Sequence, residues 1–125
     1  WSYLGRLGGI QPVSLQKNGC VYYNMVQHET LHALGFHHEH VRSDRDSYIN
    51  INSQNIQPGT EGNFVKIATN NLGTPYDFYS VLHVNNYYFS RNGYPTLTAK
   101  SNPNALLGFA TQMSYYDIAR VNRLY

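Results

Sequence analysis

The stretch HETLHALGFHHEH, residues 28–40, limits this chain more than any other. It holds five of the six histidines in a 125-residue sequence that is only 13% charged. His28 and His32 are four residues apart, so on an α-helix their rings project side by side, close enough to grip one metal ion. Val21 and Met25 extend that face toward the N-terminus. Glu29 stands on its flank, where a carboxylate reaches a water near the metal without being a ligand. Gly35 occupies the place of a left-handed helix C-cap. Beyond it the chain can double back and bring His38 to the same point. A bare HExxH is compatible with a helix carrying two surface histidines. The extended HExxHxxGxxH adds a third histidine and a glycine that helix packing does not call for. His37 and His40 flank the third candidate ligand and are read as surface or packing residues.

Three neutral imidazoles with one open position suit zinc, which lowers the pKa of a water to ~7 and so makes a nucleophile available near neutral pH. Glu29 would act as general base. The expected chemistry is peptide-bond hydrolysis without a covalent intermediate.

The rest of the chain is read around that segment. Its length suits one ordinary domain, and 42% hydrophobic residues are enough for a core. Residues 1–19 read as short strands, SYL and PVSL, separated by the glycine turn GRLGG. The helix signal runs from near Cys20 to Leu34. Residues 41–80 read as mostly irregular, with a short helix in GNFVKIATN. FYSVLHVNNYYFS is apolar and aromatic, RNGYP a turn and TLTAK a strand. Ser114 with Asp117 forms a capping box, and Ile118, Val121 and Tyr125 form the apolar stripe of a final helix. Nine scattered Lys and Arg and a net charge of +2 argue against a nucleic-acid partner. No apolar run could span a bilayer. The opening WSYLGRLGG is not a signal peptide. Twelve tyrosines and few lysines lean toward an extracellular protein. The lone Cys20 is a small buried residue or a half-cystine with its partner outside the chain.

HETLHALGFHHEHVRSDRD resembles the long zinc signature of the astacin family of secreted zinc endopeptidases, HExxHxxGFxHExxRxDRD. Every fixed position matches: His28, Glu29, His32, Gly35, Phe36, His38, Glu39, Arg42, Asp44, Arg45 and Asp46. WSYLGRLGG, GCVYY, YINI, the YSVLH region and IARVNRLY are also similar in order and spacing, so the resemblance covers residues 1–125.

It implies an α+β metzincin fold. The expected parts are an active-site helix, a loop-rich C-terminal subdomain and a C-terminal helix, with the upper sheet only partly present. It also implies zinc, one per chain, held by His28, His32 and His38, with Glu29 as base. Trp1, Ser2 and Tyr3 become the edge strand against which an extended protein or peptide substrate pairs. Glu39 becomes the residue linked to the matured N-terminus, and Arg42, Asp44, Arg45 and Asp46 become braces of the loop. Cys20 becomes half of a disulfide whose partner would precede Trp1, and about the first third of the family's catalytic domain is missing. The implied setting is secreted, with neither nucleic acid nor membrane as partner.

Two departures concern the turn beneath the zinc, SxMHY in the family and Ser80, Val81, Leu82, His83, Val84 here. Leu82 for methionine is close to isosteric. Val84 replaces a tyrosine that, in the family, is thought to stabilise the tetrahedral intermediate. Valine has no donor, and losing one oxyanion donor typically costs ~100- to 1,000-fold in turnover. The leading reading is therefore a secreted zinc endopeptidase. Its alternative is a weakly active or inactive astacin-like protein-binding module.

Overall fold

The computed structural model describes residues 1–15 and 23–125. Cys20, Val21 and the expected start of the first helix lie outside the described residues. The order is α1 (Tyr23–Ala33), β1 (Ile49–Ile51), β2 (Leu97–Ala99) and α2 (Tyr115–Leu124), with 3-10 turns at Glu39–Val41, Arg45–Ser47, Ser53–Asn55 and Glu61–Phe64. This is the expected α+β arrangement of two helices framing a loop-rich middle.

Helix α1 ends as its sequence prescribes. Gly35 has φ of +106°, which an L side chain resists. The Gly35 amide donates to His32 O and the Phe36 amide to Leu31 O, the paired bonds of a Schellman turn. The N-terminal half of the described helix is tied to the lead-in of α2: Asn24 Nδ2 donates to Ala110 O at 3.2 Å, and Gln27 Oε1 accepts from the Met113 amide at 2.7 Å.

Strands β1 and β2 pair antiparallel, with Ile49 opposite Ala99 and Ile51 opposite Leu97. Their inward side chains join Ile56, Phe64, Val84 and Leu107 in one apolar cluster. A second cluster sits under α1, with Leu31, Val81 and Leu82 packed by Phe36, Met113 and Val121. Burying each large side chain of this kind is worth ~1.5–3 kcal/mol.

The irregular middle is held by buried polar groups that satisfy loop carbonyls. Arg42 donates to Thr74 O at 2.6 Å and Pro75 O at 2.8 Å. Arg45 donates to His40 O and Phe64 O. Asn86 donates to the carbonyls of Leu97 and Ala105 and accepts from the Leu107 amide. Arg42 and Arg45 are both buried, while Asp46 lies on the surface and pairs with Arg45 and Lys66.

Three expectations are corrected. SYL and PVSL meet in a single bridge, Ser2 opposite Val13, rather than in strands. Gly5, Gly8 and Gly9 all take positive φ between them, so the connection turns too often for a longer ladder. The short helix expected in GNFVKIATN is only a 3-10 turn that starts earlier, at Glu61, and ends at Phe64. The apolar stripe of α2 meets the core only through Val121. Ile118 and Tyr125 are exposed, and the buried residues of that helix are Asp117 and Arg120. The capping box is present as expected, with Ser114 and Asp117 exchanging side chain-to-backbone bonds.

Candidate metal centre and cleft

The helix and the reversal at Gly35 bring three imidazoles to one point. His28 Nε2 and His32 Nε2 are 2.9 Å apart, and each is 3.2 Å from His38 Nε2. The outer nitrogens of two of these rings are engaged elsewhere. His28 Nδ1 lies 2.8 Å from Val81 O, and His32 Nδ1 lies 2.8 Å from Phe36 O. A carbonyl only accepts, so both Nδ1 atoms carry the proton and both Nε2 atoms present lone pairs. Two lone pairs at 2.9 Å cannot share a hydrogen bond. They belong around a cation, and the carbonyls behind the rings orient them toward it. The donor set fits a divalent metal that takes imidazole nitrogen. Burial also favours the neutral form of two of the rings. It pushes His32 below the ordinary histidine value, and it pushes His38, aided by its neighbouring imidazoles, down to about 2.

Glu29 flanks the cluster. Its Oε2 is buried and has no hydrogen-bond partner among the described residues. Its Oε1 lies 3.6 Å from the Trp1 main-chain nitrogen.

The segment assigned to substrate pairing lies against the same edge. Trp1 O accepts from the Ser14 amide, and Ser2 Oγ donates to the main-chain carbonyl of Glu29 at 2.9 Å. Trp1 and Tyr3 are exposed, with their rings edge to face. A cleft of about 270 Å³ opens in front of the cluster, lined by His28, Glu29, His38, Val81, His83, Val84, Tyr88 and Gly108 among others.

The floor is tightly braced. Ser80 is fully buried and donates to Asp117 Oδ1, and the Val81 amide donates to Asp117 Oδ2. Asp117 thus caps α2 and at the same time holds the amide of Val81, the residue whose carbonyl orients His28. Sequence reasoning found the cap but not this second use, because Ser80 lies 37 positions away. Leu82 is buried in the cluster under α1, and its carbonyl accepts from the Glu39 amide. His83 is buried, donates from Nδ1 to Val84 O and meets the Tyr76 hydroxyl at Nε2. Burial lowers its affinity for a proton. Val84 is buried in the β1–β2 cluster and reaches the cleft at its edge.

Glu39 does not touch the cleft. It is 2% exposed and takes both outer nitrogens of Arg120, at 2.7 and 3.0 Å, with Arg42 and the Asp77 amide completing its shell. His40 is fully buried and lies 2.7 Å from Asn63 O, while His37 remains part-exposed. Burial pushes His40 down to about 4. Tyr88, which the sequence did not single out, packs edge-on to His40 and faces His38 with ring centroids 6.2 Å apart.

The family model for the Astacin peptidases matches residues 1–125. High choriolytic enzyme 1 of Oryzias latipes is 49% identical over the whole chain, which covers 47% of that protein. Embryonic protein UVS.2 of Xenopus laevis is 45% identical over 99% of the chain and 24% of its own length. The astacin-like metalloendopeptidase of Gallus gallus is 42% identical over the whole chain and 31% of its length. The chain thus spans less than half the length of these relatives. The solved structure of High choriolytic enzyme 1, a hatching enzyme zinc-protease of the medaka fish, superposes with a TM-score of 0.95 at 49% identity. That match covers all of this chain and 63% of the other. No helix among the described residues is long and apolar enough to cross a membrane.

Proposed function

This chain belongs to the astacin family of metallopeptidases, and from that premise we propose that residues 1–125 act within the catalytic domain of a secreted zinc endopeptidase. The observation that carries the reading is the convergence of three imidazole nitrogens beside a buried, unpartnered carboxylate oxygen. His28, His32 and His38 would hold one zinc through Nε2. Bound there, zinc polarises a peptide carbonyl and acidifies a water. Glu29 Oε2 takes the proton from the attacking water and returns it to the departing amine nitrogen. The carbonyls of Val81 and Phe36 keep His28 and His32 in the tautomer that binds metal. An extended protein or peptide substrate lies along the cleft, with Trp1, Ser2 and Tyr3 forming its upper rim. The relatives' hatching and choriolytic names belong to those proteins, and the substrate proposed here is a protein chain of unspecified sequence.

The alternative is a weakly active or inactive module that binds protein, with the metal holding its scaffold. Val84, apolar and buried where the family has a phenol, favours it.

Cleavage of an unfolded protein substrate by wild type, Glu29→Gln and His32→Ala, with zinc measured in each, separates the two readings. The peptidase requires an active wild type, a Glu29→Gln that keeps its zinc and loses ~100- to 10,000-fold in rate, and a His32→Ala that loses its zinc. A zinc-loaded wild type no faster than Glu29→Gln establishes the binding module instead. Stoichiometric zinc in His32→Ala would refute the ligand assignment.

A further inference from the structure

The family's phenol is missing at Val84, yet the same cleft wall carries another tyrosine four residues on. Tyr88 lines the cleft together with His28, Glu29 and His38. Its ring is clamped from several sides. It packs edge-on to His40 at 5.3 Å between centroids, against Phe64 at 5.7 Å and against Phe89 at 4.6 Å. Phe89 itself has φ of +50°, a conformation a bulky residue adopts only when its surroundings enforce it. The main chain on either side is pinned as well. Tyr88 O accepts from Thr96 Oγ1 at 2.7 Å, and Phe89 O accepts from the Gln57 amide. Among the described residues, Tyr88 makes its hydrogen bonds through the main chain and none through the phenol. The result is a rigid aromatic ring with an uncommitted O–H donor, on the wall shared with the imidazole cluster and the Glu29 carboxylate.

Resting on the peptidase reading above, we propose that Tyr88 is a catalytic residue of this chain. Its phenol would donate a hydrogen bond to the scissile carbonyl oxygen as negative charge gathers there, the task Val84 cannot perform. The proton stays on the tyrosine; only the hydrogen bond strengthens. Preorganisation is what makes such a donor effective, since a ring already fixed costs no reorganisation during the reaction. Position 84 is poorly placed for the task in this chain. Its side chain is buried among Ile56, Phe64, Leu97 and Leu107, so a larger residue there would overpack the cluster. Asn85 is the rival donor on the same wall. Its donor would be Nδ2, on a side chain that is exposed and whose Oδ1 accepts from the Tyr87 amide at 2.8 Å, so solvent competes for any bond it offers.

The test compares wild type, Tyr88→Phe, Asn85→Ala and Glu29→Gln on one peptide substrate, with kcat and KM resolved and zinc content and melting temperature checked. It also measures inhibition by a phosphinic peptide, whose phosphorus-bound oxygens imitate the tetrahedral carbon's. Tyr88→Phe keeps the ring and removes only the hydroxyl. The expected result is a kcat lower by about 100-fold, KM within about twofold, unchanged zinc and melting, and phosphinate affinity weakened in parallel with kcat/KM. Asn85→Ala should stay near wild type. A Tyr88→Phe with wild-type kcat beside an inactive Glu29→Gln overturns the role of Tyr88 and leaves the peptidase intact. So does a loss of kcat in Asn85→Ala alone. A wild type as inactive as Glu29→Gln overturns both.

Discussion

Helix α1 buries Leu31, and helix α2 buries Asp117 and Arg120. Both helices lie on the same apolar cluster, yet they are attached by different means. Helix α1 is anchored by functional groups: two imidazoles turned onto carbonyls, a Schellman turn at Gly35 and one leucine underneath. Helix α2 touches that cluster through Val121 and is otherwise anchored by charge. Arg120 reaches Glu39 and Thr74, and Asp117 reaches Ser80 and Val81. Ile118 and Leu124, by contrast, are exposed. The structural work of α2 is therefore to stabilise the segments that carry His38 and the carbonyl for His28. One helix carries His28 and His32, and the other braces the segments that orient them.

The comparison breaks most severely at Arg120. Arg120→Ala leaves Glu39 buried with only Arg42, at 3.4 Å, as a charged partner. Removing one member of a buried ion pair costs about 3–5 kcal/mol, and chemical denaturation will measure it. The double replacement Arg120→Met with Glu39→Gln should recover much of that loss, because no orphaned charge remains. Equal losses in the single and double variants would show that α2 is held by packing after all.

Asp117→Asn is gentler and more specific. It keeps the shape but weakens the hold on Ser80 and the Val81 amide, and so loosens the carbonyl that fixes the His28 tautomer. Zinc affinity should fall by about 10- to 100-fold, read by competition with a chelator. Unchanged affinity would mean that Val81 is positioned without α2. Leu82→Met has the smallest effect. The volumes are similar, so stability should shift by less than ~1.5 kcal/mol and zinc content should not move. A larger shift would mean that the cluster under α1 is shaped around a branched side chain.

What the sequence made legible follows the range of the interactions. The spacing of His28 and His32, the glycine at 35 and the capping box of α2 are contacts within a few residues, and the structure has them where periodicity and residue type place them. The burial of α2 was misread because Arg120 meets Glu39 across 81 positions. An apolar stripe at Ile118, Val121 and Tyr125 looks like a core face until those long-range partners are known. The strands expected in residues 1–15 failed for a related reason. Alternation alone does not sustain a ladder when three glycines turn the chain between the two halves. Tyr88 carried no local signal at all; its relevance comes from the fold placing it beside His38.

The reversal at Gly35 has a consequence for how metal and folding are coupled. All three imidazoles lie within ten positions of one another, so the denatured chain keeps them close together whether or not it has folded. The carbonyl that orients His28 is 53 positions away and is supplied only by the folded protein. A metal held by these three rings would therefore have some affinity for the unfolded ensemble as well as for the native one. By mass action its stabilising effect is set by the ratio of the two affinities and falls short of what the native affinity alone would give.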